Sequence, residues 1–101
     1  MIVVIGRAEV DPAAMATIRS LMDTVMAATR SEDGCISYSL AVENEAAGIM
    51  TIAERWRDLG ALQAHLATPH VAAFNAAAQG LIRSLTATRS EVTGEADVTV
   101  G

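Results

Sequence analysis

Two alternating runs, residues 35–43 and 49–56, are separated by only five residues, and this spacing narrows the folds open to the chain more than any other feature. The first run places Ile36, Tyr38, Leu40 and Val42 on one side and the small Cys35, Ser37, Ser39 and Ala41 on the other. The second places Met50, Ile52, Glu54 and Trp56 on one side and Ile49, Thr51, Ala53 and Arg55 on the other. A period of two is the signature of a strand with one buried face. The short link over residues 44–48 has a charged tip and closes the two runs into an antiparallel hairpin. A symmetric link sets Tyr38 opposite Glu54 and Ile36 opposite Trp56; a slip of one residue would break this pairing.

What flanks the hairpin completes the pattern. Residues 2–10 are rich in β-branched side chains and read as a strand, covered on both faces in its first half as a central strand would be. Asp11-Pro12 supplies a helix start, with Asp able to cap free amides and Pro losing nothing at the first position. Met15, Ile18, Leu21, Met22, Val25 and Met26 follow at helical spacing, to about Thr29, and a polar loop over residues 30–34 ends that helix. After the hairpin, Asp58 can cap a helix carrying Leu59, Leu62 and Leu66, with His65 at the edge of its apolar stripe. Thr68-Pro69 ends it and starts another, whose stripe is Val71, Phe74, Ala78 and Leu81. Residues 84–92 form a fourth strand. One domain over residues 1–93 is expected, followed by a polar tail, 94–101, in which residues 98–100 have the composition to pair with a sheet edge.

The resulting order is β-α-β-β-α-β with the second helix broken in two, an α+β chain of the ferredoxin-like split arrangement. It predicts a four-stranded antiparallel sheet with helices on one face. The other face then carries Ser37, Ser39, Thr51 and Ala53, which are small and uncharged, a poor set for solvent and a good one for close packing. A second copy covering that face in a homodimer is the simplest expectation.

Composition removes several partners. Net charge is −5, all seven basic residues are Arg, and there are three aromatics, so no basic stripe with interleaved rings is available for nucleic acid. Cys35 is the single cysteine, which excludes an intrachain disulfide and a Cys-x-x-Cys motif. The apolar start is too short for a signal peptide, and no apolar run nears the ~18 residues of a membrane span. A cytoplasmic protein is expected.

The chemistry-bearing residues cluster. The only Trp, the only Phe and both His lie between residues 54 and 74, and Tyr38 is on the neighbouring strand. Glu54 and Tyr38 stand on the apolar side of the hairpin, where polar groups need partners. Glu54 either pairs with Tyr38 or an arginine, or orients a histidine or a substrate hydroxyl. Trp56 is either core or a wall for a planar ring. His65 is the foremost candidate for a general base, since imidazole titrates at about 6.5; the alternative is a partly exposed residue at a helix edge. His70 either caps and packs or supports the site. Two histidines and a carboxylate suit a metal in principle, but Pro69 between them argues against a preformed site, and none is expected. Met22, Met26, Met50 and Phe74 have the adaptable or aromatic character of pocket linings. No P-loop, dinucleotide fingerprint or Ser-His-Asp order is present.

Glu54-Arg55-Trp56, Leu62-Gln63-Ala64-His65-Leu66 and Thr68-Pro69-His70, with Glu32-Asp33-Gly34-Cys35-Ile36-Ser37-Tyr38 upstream, resemble the signature of the antibiotic biosynthesis monooxygenase family over roughly residues 2–92. The resemblance implies a small protein dimerising through its sheet, with histidines of this segment at the pocket. It also implies, as in the quinol monooxygenases of the family, oxidation of a quinol- or anthrone-like aromatic with O2 as co-substrate and no cofactor. His65 would be the base, with Glu54 and His70 in support and Trp56 and Tyr38 as ring contacts. Two alternatives remain open: an isomerase of a small hydroxyketone or dione, and a non-catalytic dimeric binder of a small apolar ligand. Haem degradation fits less well, because Asn75 follows His70 where that branch places its Asn before the His.

Overall fold

Strand β1, Ile2–Val10, is the centre of the sheet in the computed structural model, which describes residues 1–100. It pairs antiparallel with β3, Ile49–Trp56, on one side and with β4, Ile82–Glu91, on the other. β2, Cys35–Asn44, adds outside β3, giving the order β2-β3-β1-β4. The central place of β1 follows from its sequence: Ile2, Val4, Ala8 and Val10 bury one face, while Val3 is half-covered on the other.

Three helices cover one face of this sheet. A single 3-10 turn, Pro12–Ala14, capped by the Asp11 carboxylate on the Ala13 amide at 3.0 Å, leads into α1, Met15–Thr29. α2, Leu59–Leu66, and α3, Pro69–Ala78, are separated by the proline break. The expected ferredoxin-like α+β architecture is therefore the observed one, with the helices confined to a single face.

Several boundaries differ from the sequence reading. α3 stops at Ala78, so Leu81 is outside it; a turn from the Leu81 amide to the Ala78 carbonyl, 3.0 Å, delivers the chain into β4. β4 begins at Ile82, two residues early, because a register shift between Glu9 and Val10 lets Ile82 pair with Val10. Ile36 was expected opposite Trp56. A shift between Cys35 and Ser37 instead puts Cys35 opposite Trp56 and leaves Ile36 exposed. The Tyr38–Glu54 pairing is as expected. Leu66 was assigned to the apolar stripe of α2. It is 62% exposed, and the buried stripe is Ala61, Leu62 and His65.

The hairpin turn is fixed by Gly48, whose φ is +72°. A Cβ there would fall 2.1 Å from the Val10 carbonyl oxygen, so only glycine lets the turn rest on the end of β1, where the Val10 amide bonds the Gly48 carbonyl at 2.8 Å. The core divides into two clusters. One joins Ala8, Val10, Met15, Ile18, Met22, Met50 and Ala78; the other joins Ile2, Val4, Tyr38, Trp56, Ala61 and Leu62 around the indole. Residues 92–100 lie outside every strand, including 98–100, and the last residue of the expected 94–101 tail is outside the described residues. The tail touches the sheet through an Arg55–Glu95 ion pair. No helix among the described residues is long and apolar enough to cross a membrane.

Candidate active site

A cavity of about 390 Å³ opens between the sheet and the helices. Its floor follows the cross-strand rows. Tyr38, Glu54, Val4 and Arg89 form one row; Leu40, Ile52 and Ala87 belong to the next; Met50, Ala8 and Leu85 to the third. Ile18 and Val25 of α1, Leu62 and His65 of α2, and Val71 and Phe74 of α3 form the rest of the wall. The volume suits one small ring system, and an apolar wall with a few convergent polar groups is the usual form of a small-molecule site.

His65 is the polar centre. It is 3% exposed, although it lies on the last turn of a short helix. Its ring is stacked at 4.6 Å from Trp56, with planes inclined by 35°, and meets Tyr38 edge-on at 5.2 Å. Trp56 is fully buried and backs His65; it is not on the cavity wall. The indole N–H donates to Glu54 Oε1 at 2.9 Å.

The group that orients His65 is Glu32, to which the sequence reading gave no role. Glu32 Oε2 lies 2.7 Å from His65 Nδ1 and 2.8 Å from His70 Nε2. A carboxylate only accepts, so both ring nitrogens donate to it, and in the neutral imidazole this tautomer leaves the lone pair of His65 on Nε2. That nitrogen makes no hydrogen bond within the described residues. The role expected of Glu54, orienting a histidine, thus falls to Glu32, while Glu54 holds the indole.

Local chemistry explains the convergence. Asp58 caps α2, accepting from the Ala61 amide at 2.8 Å. Thr68 links the two helices: its hydroxyl donates to the His65 carbonyl at 2.7 Å and accepts from the Val71 amide at 3.4 Å. The Thr68-Pro69 break therefore turns His70 back toward His65. On the opposite side, Gly34 has φ +83°, and a Cβ there would lie 2.6 Å from the Ala61 Cβ. Without a side chain, the loop presses on α2 closely enough for Glu32 to reach both rings. The Glu32 amide, bonded to the Thr29 carbonyl at 3.0 Å, and its carbonyl, bonded by the Cys35 amide at 3.2 Å, hold it there.

The site has a negative bias. Burial raises the Glu54 carboxyl above its ordinary range against the opposing effects of the indole bond and of nearby His65, and the charge of Glu32 adds to the rise. Burial, then the charges of Glu54 and Glu32, push the Tyr38 phenol far above its usual value, so it is a neutral donor at physiological pH. The Cys35 thiol is raised by the same causes and is not an activated nucleophile.

Of the remaining residues singled out in the sequence, Met50 and Phe74 line the cavity. Met22 is buried in the first core cluster and does not line the cavity. The Met26 sulfur faces β2, 3.3 Å from the Leu40 amide. His70 is partly exposed at the outer side of Glu32.

Comparison with known proteins adds a relationship to this geometry. A sequence model of the family described as antibiotic biosynthesis monooxygenase matches residues 1–77. The Mycobacterium tuberculosis protein named "Putative monooxygenase Rv0793" is 37% identical over 75 residues, 74% of this chain and 73% of that protein. Its solved structure superposes with a TM-score of 0.83 at 34% identity, over 95% of this chain and 98% of that one. The crystal structure of a "putative antibiotic biosynthesis monooxygenase" from Deinococcus radiodurans gives a TM-score of 0.87 at 33% identity over 100% of both chains.

Proposed function

This chain belongs to the antibiotic biosynthesis monooxygenase family, and on that premise we propose that it is a cofactor-independent monooxygenase that oxidises a quinol- or anthrone-like aromatic with O2. The observation that carries the reading is a buried histidine on the wall of an apolar cavity, with Nδ1 held by a carboxylate at 2.7 Å and Nε2 left free. A base in that state accepts a phenolic proton from a bound ring. The resulting phenolate gives one electron to O2, and the radical pair closes a C–O bond as a peroxide. Loss of water from the peroxide leaves a new carbonyl: one oxygen atom stays on the substrate, and the other departs with the two hydrogens the ring has lost. The protein's part is to bind the ring, keep bulk water out and move one proton through His65 Nε2. Trp56 and Glu32 fix the imidazole from behind, and Tyr38 offers a phenolic donor on the floor.

Oxygen uptake by the metal-stripped protein with a panel of quinols and anthrones tests this. His65→Ala should lower the turnover rate by about 10²–10⁴-fold, the usual worth of a positioned base. Absence of uptake above the buffer rate with every substrate would sink the reading. An isomerase of a small hydroxyketone or dione is then next, because His65 with Glu54, whose carboxyl is biased toward its protonated form, makes a His–Glu pair suited to a proton shuttle that needs no O2.

The same reading includes a homodimer. On the uncovered face, Ser39, Ala53, Ile5 and Thr88 form one cross-strand row, and Ala41, Thr51, Arg7 and Thr86 the next. Ile5 is 57% exposed among small neighbours. An exposed Ile flanked by small side chains fits a matching sheet better than it fits water.

A further inference from the structure

The cluster that positions His65 has a second capability. Glu32, His65 and His70 each offer one ligand atom, and the three atoms lie within 4.8 Å of one another. They come from the loop before β2, the end of α2 and the first turn of α3, so three separate segments converge on one point. Along the chain, Pro69 separates the two histidines, an arrangement that by itself disfavours a preformed metal site. In the structure, the Thr68-Pro69 turn is what brings His70 Nε2 and His65 Nδ1 to the same carboxylate oxygen, at 2.8 and 2.7 Å.

We propose that Glu32, His65 and His70 form a site for one divalent transition-metal ion of the zinc type, and that its binding converts His65 Nε2 from a proton acceptor into a proton donor. Two imidazoles and one carboxylate are a donor set for zinc and its neighbours, with a further coordination position left for water. Ligand bonds of about 2.0–2.2 Å set the donors roughly 3.0–3.5 Å apart. The two nitrogen–oxygen separations need to open by only a few tenths of an ångström. The histidine nitrogens must approach each other, and His70, partly exposed and free of ring stacking at close range, is the group able to move. His65 is fixed between Trp56 and Tyr38.

Charge favours a cation here. Glu32 and Glu54 are both shielded from solvent, and Glu32 is the one whose carboxylate faces the two imidazoles. Among the described residues, no arginine forms an ion pair with either; the arginine pairs use Glu43, Glu45, Glu95, Asp33, Asp58 and Asp11.

The consequence for His65 follows from proton balance. A neutral imidazole has one N–H. To give the metal a lone pair at Nδ1, His65 moves that proton to Nε2, and His70 moves its own from Nε2 to Nδ1. No proton leaves the protein, but the nitrogen that was free to take a phenolic proton now carries one. Metal binding and base chemistry at His65 are therefore mutually exclusive; this catalytic consequence rests on the function proposed above, whereas the metal site and the tautomer change do not.

The test uses the full chain stripped with a chelator. Cobalt(II), titrated as a spectroscopic stand-in, should saturate at one equivalent with visible d–d absorption. Zinc should shift the ring-nitrogen signals of both histidines, whose two spin systems are the only ones in the chain, and move the His65 proton to Nε2. His70→Ala and Glu32→Gln should each weaken binding by more than the ~10–100-fold lost on removing an outer-shell partner; unchanged circular dichroism would show that both variants still fold. No binding, binding equally tight in both variants, or zinc binding that leaves the His65 tautomer unchanged overturns the proposal. Failure of every aromatic substrate to be oxidised counts against the function proposed above, and leaves the metal site to be judged on binding alone.

Discussion

At the scale of single residues, Glu54 is the most informative. Its carboxyl is raised above its ordinary value of 4.5, chiefly by burial, so the folded protein holds that proton more tightly than the unfolded chain does. The sign follows: the contribution of Glu54 to stability is greatest below the ordinary carboxylate range and is lost as pH rises through its raised titration. Glu54→Gln keeps an oxygen acceptor for the Trp56 indole and removes the charge. The variant should melt above the wild type at neutral pH, with the gap closing as pH is lowered below 4.5; thermal melts of the pair across pH check this. A gap that does not change with pH would mean the charge is not the cause. His65 was visible in the sequence as a candidate base, but not as a buried one. Leu62 has both His65 and Leu66 one turn ahead of it, and helical spacing alone does not choose between them.

Elements position the site through their ends. α2 and α3 have eight and ten residues, too short to hold their geometry alone. Their caps and their packing do it. Thr68 accepts from the Val71 amide and donates to the His65 carbonyl, so its loss frees both helix ends at once. Thr68→Ala should cost about 1 kcal/mol in urea unfolding, the usual worth of a cap. It should also loosen the approach of His70 to Glu32, seen as a weakened hydrogen bond in the histidine ring signals. Thr68→Ser, which keeps the hydroxyl, should behave nearly as wild type; if it is as unstable as the alanine variant, the methyl group and not the bond is responsible. The pairing of Tyr38 with Glu54 was legible, because two alternating runs joined by a short link leave few registers. The shift at Ile36 was not, because nothing in an alternating sequence marks where an extra residue enters the ladder.

For the whole molecule, the question is what lies on the uncovered face of the sheet. Ala53 sits at the centre of the row Ser39, Ala53, Ile5, Thr88. It is exposed in the single chain, so Ala53→Arg should leave the fold intact while placing a charged side chain against its own copy in a two-fold dimer. Sedimentation equilibrium should find the wild type dimeric and the variant monomeric. A wild type that sediments as a monomer, or a variant that remains a dimer, rejects this face as the interface.

The sequence alone determined the order of elements, the faces of β2 and β3, and hence a split β-α-β-β-α-β sheet with helices on one side. Those features follow from periodicity and from turn and cap residues, which act over a few positions. Only the tertiary structure decided which side of α2 is buried, which made His65 a core residue and Leu66 an exposed one. It also decided that Glu32 completes the site. Glu32 is 33 positions from His65 and 38 from His70, on a loop with no periodicity of its own. Its role depends on the missing side chain at Gly34 and the turn at Pro69, and these act together only once the loop, α2 and α3 have packed.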